Sequence, residues 1–350
     1  MIHRGKRGIP VQDRYSRQKL FRPIGAEGQQ MLQDAKVLII GAGALGTGLA
    51  ESLVRSGVGQ LVIADRDYVE WSNLQRQQLF TEADAASRQP KAIAVKERLA
   101  AINSEVRIDA HVLDVTKEEL ESLLPGVQLI LDATDNFDTR LLINDMSQKY
   151  RIPWIYGGCV GSYGITYTII PGVTPCLNCL LGTMPFGGDT CDTVGVIPSA
   201  VQIVVAHQAA EALKLLTGNS DSLRGTLLTF DLWKNEQISI KVDSAKRSDC
   251  DSCGAEPMYP YLTAAGTRKA EVLCGRDTVQ IRPAQPRKLN LSEVAQTLNS
   301  LDEGQVELNP FLLSFSLRDK RIVLFADGRA LVHGTKELAE AKTLYDRYFG

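Results

Sequence analysis

The 350-residue chain is short of histidine, of aromatic residues and of unbroken apolar stretches, and each shortage removes a class of function. Four histidines in the whole sequence give little material for a histidine-centred acid–base relay. No apolar run approaches the roughly 20 residues that a membrane-crossing helix requires, and no secretory leader precedes the first patterned segment. A cytoplasmic protein is therefore expected. The formal net charge is only −2, and no dense Lys/Arg run follows Arg4, Lys6 and Arg7, so neither nucleic acid nor an anionic membrane is expected as a partner. Seven cysteines are too few for a disulfide scaffold of this length. What remains, 44% hydrophobic and 23% charged residues, is ordinary globular material, enough for one large domain and one smaller one.

Within that material the most informative stretch is Gly41-Ala42-Gly43-Ala44-Leu45-Gly46, between an apolar strand at Val37 to Ile40 and a helical pattern from Thr47 to Arg55. Gly41, Gly43 and Gly46 in such a strand–turn–helix let the backbone approach phosphate, toward which the helix N-terminus presents unpaired amides. The next strand, Gln60 to Ala64, ends at Asp65, at the right distance to hold ribose hydroxyls. Dehydrogenases share both features, so a nicotinamide oxidoreductase stays open at this point. Ser72 to Gln78 then reads Ser-Asn-Leu-Gln-Arg-Gln-Gln, and Pro90 opens a helix with Lys91 in its first turn. Asn73, Arg76 and Lys91 are superfluous to a nicotinamide and look aimed at a triphosphate.

Alternating strands and helices through the first half predict a mostly parallel sheet covered on both faces. Val106 to Leu113 reads as a strand, Thr116 and Glu119 as a capping box, and Val127 to Ala133 as a buried strand that leaves Asp135 beyond its carboxyl end. Strands at Pro153 to Val160, Gly164 to Ile170, Leu227 to Leu232 and Gln237 to Val242 make an antiparallel extension, with a flexible loop at Thr183 to Pro198 and an apolar helix from Ser199 to Leu216. Around Ser252 to Leu262 the composition turns to Gly, Pro and Tyr, which divides residues 1–258 from a small α+β domain over 259–350. That domain should hold a strand at Glu271 to Ile281, a helix at Ser292 to Leu301, three further strands, with an Asp327-Gly328 hairpin, and a last helix to Tyr348. The fold class is thus α/β, a Rossmann-like sheet with an antiparallel extension and a zinc site, plus a C-terminal α+β domain.

The zinc rests on two CxxC pairs, Cys176/Cys179 and Cys250/Cys253, whose wide separation suits a structural tetrahedral site joining distant segments. A redox-active CxxC is the alternative. Cys159 and Cys274 are expected to pack as small hydrophobes.

Taken together, Arg14-Tyr15-Ser16-Arg17-Gln18, the glycine loop, Asp65-Arg66-Asp67, Ser72 to Gln78, Gln89-Pro90-Lys91 and Asp132-Ala133-Thr134-Asp135-Asn136 resemble, in order, the ThiF and MoeB adenylyltransferases, relatives of the ubiquitin-activating enzymes. The likeness covers residues 13 to 253 and implies an enzyme that uses ATP to adenylylate the C-terminal glycine carboxylate of a ubiquitin-like sulfur carrier, ThiS-like or MoaD-like, for thiamine or molybdopterin synthesis. It places Asp65 on the ribose, Asn73, Arg76 and Lys91 on the phosphates, and Asp135 on Mg2+, while Asp132 is harder to assign and could cap the following helix. It also implies a homodimer in which Arg17 enters the partner's ATP site, and it agrees with a paired-CxxC zinc. Cys191 falls where the family can bond covalently to the activated carrier, although relatives that only adenylylate also have a cysteine there. A relative acting on a peptide or other carboxylate is a further alternative.

Overall fold

In the computed structural model, residues 13–182, 194–264, 270–272, 277–283, 288–301 and 303–349 are described. Their main feature is an eight-stranded sheet in the order β3-β2-β1-β4-β5-β6-β7-β8. Strands β1 (Lys36–Ile40), β2 (Gln60–Asp65), β3 (Arg107–Val112), β4 (Leu129–Asp132) and β5 (Trp154–Val160) run parallel. Strands β6 (Tyr163–Ile169), β7 (Leu227–Asp231) and β8 (Glu236–Ile240) continue the sheet antiparallel.

The parallel strands are apolar without alternation because both faces are covered. Val37 and Ile39 of β1 enter one core, with Leu61 and Ile63 of β2; Leu38 and Ile40 enter the other, with Val62 and Ala64. The first core is closed by α3 (Ala44–Ser56), α5 (Lys91–Ile102) and α9 (Pro198–Leu216), the second by α6 (Lys117–Leu123) and α7 (Phe137–Tyr150). Helix α9 crosses α3 closely, since a Cβ on Gly48 would lie 2.9 Å from a Val205 methyl. Its Gln208 donates to the carbonyls of Asp132 at 3.0 Å and Ile155 at 3.1 Å, tying the helix to β4 and β5.

The second unit is a six-stranded sheet, β11-β12-β13-β14-β10-β9, with helices α11 (Leu291–Asn299) and α12 (Leu338–Phe349). One strand expected over Glu271 to Ile281 is two, β9 (Ala270–Val272) and β10 (Thr278–Ile281), paired antiparallel. An additional strand, β11 (Gln305–Leu308), pairs with β12 (Leu312–Ser316); its Gln-Val-Glu-Leu sequence is exposed or half-buried and leaves little apolar pattern to read. The Asp327-Gly328 turn joins β13 (Arg321–Phe325) to β14 (Ala330–His333), with Gly328 at φ +84°.

Packing on the first unit continues a few residues past 258. Leu262 is buried in the second core of the first unit, and Tyr261 N donates to Asp145 Oδ2 at 2.9 Å, so the chain stays on that unit through α10 (Pro260–Ala264). The two units share a small core in which Tyr68 meets Leu312, Val323, Phe325 and Leu331. Arg321 donates to the Tyr68 hydroxyl at 2.9 Å, and Asn309 donates to the Ser87 carbonyl at 3.0 Å. Among the described residues no helix is long and apolar enough to cross a membrane.

Candidate active site

At the carboxyl ends of the parallel strands lies a cleft of about 1430 Å³, the position where open α/β sheets hold ligands. Single-ligand pockets run to roughly 300–1,000 Å³, so the cleft has room for a nucleotide and part of a second substrate. Gly41, Gly43, Ala44 and Leu45 line it. Gly41 sits at φ +97°, where an added Cβ would meet the Ala133 carbonyl at 2.4 Å. Gly46 lies behind the lining: a Cβ there would come within 1.9 Å of the Gly41 oxygen, so this glycine lets α3 pack on the turn.

Asp65 ends β2 half-buried in the cleft wall, accepting from Ala42 N at 2.6 Å and Asp67 N at 2.7 Å. Loss of water raises its carboxyl pKa, opposed chiefly by the Lys91 ammonium. Lys91 is 4% exposed, lines the cleft, and pairs with Asp67 Oδ2 at 3.2 Å. Arg76 lines it too, and donates to the Ser72 carbonyl at 2.9 Å.

Asn73, expected on the phosphates, stands just behind the cleft lining. It is 1% exposed and does not line the cleft; its Oδ1 accepts from Glu70 N at 3.1 Å, and its carbonyl accepts from the amides of Arg76 and Gln77. The side chain locks the turn that presents Arg76. Gln77 beside it is buried, lines the cleft and keeps a buried Oε1 without a hydrogen-bond partner. Sequence reasoning does not single Gln77 out, although it stands in the same motif.

Across the cleft, Asp135 and Asp138 line the wall, Asp135 exposed, offering carboxylate oxygens of the kind that hold Mg2+. Asp132 is fully buried instead, bonded by Thr134 N at 2.9 Å, Thr134 Oγ1 at 2.7 Å and Arg140 Nε at 3.0 Å. It does not cap α7; Asn136 does, accepting from Thr139 N at 2.8 Å. Arg140 also donates to the carbonyls of Thr134 at 2.7 Å and Gly157 at 3.1 Å. Burial would lower its pKa, but Asp132 outweighs this and raises it. Arg140 is a second residue that sequence reasoning misses, because a helix arginine carries no sign of what it faces.

The cleft continues over the antiparallel strands, where Tyr163, Thr229, Asp231 and Lys234 line it. Cys159 packs against the first core and also faces the cleft, so it is more than the small core hydrophobe expected. Cys191 and Cys274 lie outside the described residues. Arg17 is exposed on α1 (Ser16–Leu20) and is absent from the cleft lining.

The paired CxxC motifs converge: the four Sγ atoms of Cys176, Cys179, Cys250 and Cys253 lie within 4.8 Å of one another, with contacts of 3.5–3.9 Å. A tetrahedron with metal–sulfur bonds of about 2.3 Å has edges of about 3.8 Å. The cluster could hold a metal ion, at a point where Asn178 Nδ2 also donates to Ser252 Oγ at 3.1 Å.

Known proteins are similar to this chain. The sulfur carrier protein ThiS adenylyltransferase of Bacillus subtilis (strain 168) is 51% identical over 337 residues, which is 96% of this chain and 99% of that protein. The sulfur carrier protein adenylyltransferase of Thermus thermophilus is 36% identical over 270 residues, 75% of this chain and 96% of that one. Among solved structures, E. coli MccB in complex with MccA-N7isoASN superposes with a TM-score of 0.61 over 69% of this chain and 75% of MccB; its 24% identity makes that a likeness of fold. The family model for ThiF matches residues 15–252, the stretch that carries the glycine loop, most of the cleft lining and Cys176, Cys179 and Cys250, and the chain belongs to the ThiF family.

Proposed function

We propose that the protein is an adenylyltransferase that uses ATP to activate the C-terminal glycine carboxylate of a ubiquitin-like sulfur carrier, ThiS-like in the first instance, and releases pyrophosphate. One observation carries the reading: a glycine loop, Asp65, Arg76, Lys91 and Asp135, from separate parts of the chain, line a single cleft. End-to-end similarity to a ThiS adenylyltransferase favours the ThiS-like carrier over a MoaD-like one.

The chemistry asks little of proton transfer. A terminal carboxylate has a pKa of about 3.3–3.7 and is ionised at neutral pH, so no general base is needed. Its oxygen attacks the α-phosphorus, the bond from that phosphorus to the α,β-bridge oxygen breaks, and the electron pair leaves on that oxygen with pyrophosphate. The barrier lies in bringing anions together, which positioned cations lower. In this reading the loop amides cradle phosphate, Asp65 holds the ribose, and Lys91 and Arg76 offset the charge on the phosphates. Gln77 keeps an amide at the same wall. Asp135, with Asp138 near it, would hold Mg2+, which when bound supplies charge neutralisation to the triphosphate. The four-cysteine cluster would hold Zn2+ as a structural ion with no open position for chemistry.

The carrier's tail would enter over the antiparallel strands. Trp233 is 79% exposed and Ile238 56%, beside the cleft residues Asp231 and Lys234, an apolar surface suited to a protein partner. Exposed Leu20 and Phe21 flank Arg17, which supports a homodimer in which Arg17 serves the partner's cleft. Cys191, in the segment beyond α8 (Leu177–Leu181), is the candidate thiol for a covalent carrier intermediate. The reducing cytoplasm suits its thiol and the cysteine cluster.

Pyrophosphate release measured with a ThiS-like carrier, a MoaD-like carrier and neither tests the reading. Release dependent on the ThiS-like carrier is expected. Release with neither carrier but with a free peptide would assign the enzyme another carboxylate.

A further inference from the structure

The C-terminal unit reaches the cleft. Ala270 and Val272 of β9 and Leu338 of α12 stand in its wall, as does Asp114, two residues beyond β3. The Asp114 side chain is 10% exposed and its carboxylate is fully engaged. Oδ2 accepts from Gln280 Nε2 at 2.6 Å and pairs with Arg282, both from the C-terminal unit; Oδ1 faces Arg66 Nη1 at 3.3 Å. Held this way, Asp114 is a fixing point and not a ligand contact. What it fixes is the segment 113–115, all three residues of which line the cleft. Leu113 N donates to the Asp65 carbonyl at 3.2 Å, so this segment adjoins the ribose carboxylate.

The order of strands says which part of a nucleotide would meet it. Phosphate belongs at the loop after β1 and ribose at the end of β2, so the base, one step further along β3-β2-β1, falls at the end of β3. We infer that the C-terminal unit forms the base-side wall of the nucleotide cleft, with Arg282 and Gln280 acting through Asp114 as positioning residues that set affinity for the adenosine part of ATP. This rests on the ATP reading above.

Charge balance supports the same conclusion. Asp65, Asp67 and Asp114 bring three carboxylates to a cleft meant for a polyanion. The C-terminal unit answers with Arg282 and with Arg329, which is 2% exposed and lies over the Phe325 ring at 3.9 Å. None of the three guanidinium nitrogens of Arg329 has a hydrogen-bond partner; its nearest carboxylate is Asp327, 3.6 Å from Nε, and its charge also reaches Asp114 and Asp67 as a field. Such a buried cation is tolerated only where carboxylates lie close.

The test uses the full chain with Arg282→Ala and Arg282→Lys, and calorimetric titration with Mg-ATP, AMP and pyrophosphate. For Arg282→Ala, affinities for ATP and AMP should fall together by about tenfold, the effect of losing one charged hydrogen-bond partner, with pyrophosphate affinity unchanged. The Arg282→Lys variant should recover part of the loss, and discrimination of ATP over GTP should narrow in Arg282→Ala. A merely structural role would lower the active fraction and leave these affinities alone. Should Arg282→Ala not fold, Gln280→Leu provides the same comparison with a neutral change. Unchanged ATP and AMP affinities, or a parallel loss for pyrophosphate, overturn the inference while leaving the ATP reading intact. A wild-type chain that binds no adenine nucleotide overturns both.

Discussion

Arg140 Nε lies 3.0 Å from Asp132 Oδ2 inside the protein, while Asp135, three residues on, opens into the cleft. The two aspartates of one short motif therefore have separate work. Asp132 and Arg140 anchor the loop to β4 and β5; Asp135 is left available to a ligand.

Asp135→Ala is accordingly expected to abolish ATP–pyrophosphate exchange and to leave the melting temperature nearly unchanged. Asp132→Ala should instead cost about 3–5 kcal/mol of stability, since it strands the buried Arg140 charge. Exchange assays and thermal melts on the two variants check the division, and equal loss of stability in both would refute it.

Arg17 stands outside its own chain's cleft, so composite sites make a definite forecast. Mixing Arg17→Ala with Asp135→Ala subunits should restore roughly a quarter of wild-type exchange, because half the dimers in a random mixture carry one intact site. A verified mixed dimer without recovery would remove Arg17 from the partner's site.

The cysteine cluster predicts about one zinc per chain by elemental analysis. Cys250→Ser should lower both metal content and melting temperature, leaving Asp135 and Lys91 in place. Folded, metal-free protein with four reduced thiols would contradict this.

Docking of the two units should weaken in acid. Burial would raise the Asp114 carboxyl, but Arg66, Arg282 and Arg329 outweigh it and hold it below the usual range. A depressed folded-state pKa contributes stability that is fully present above the unfolded value, about 3.9, and is lost as pH falls through the folded value. Melting temperature followed from pH 6 down to about pH 3 should show this loss in wild type. Asp114→Asn, less stable at neutral pH, should lack that component. An identical acid slope in both proteins would reassign it.

The catalytic half was legible because its signals are local. Gly41 and Gly46 are demanded by backbone geometry, and unbroken runs such as Leu129–Asp132 mark strands buried on both faces. Asp65 and Lys91 followed from their places after one strand and at the start of one helix. Side chains whose meaning depends on tertiary contact were not legible. The hydrogen bond by which Asn73 holds its own turn has no signature in sequence; Asp114 and Arg282 lie 168 residues apart and neither stands in a recognisable motif. Strand β11 escaped because its exposed sequence lacks alternation, and beyond residue 258 only Leu262 hints that the chain is still packed on the first unit.

The cysteine pairs also bear on how the chain is made. Cys253 is added 77 residues after Cys176, and everything between them, including α9, β7 and β8, must leave the ribosome first. The parallel strands can assemble early in synthesis, but the sulfur cage shuts only after β8 has been made, so truncation before Cys250 would leave the sheet's antiparallel edge unlatched.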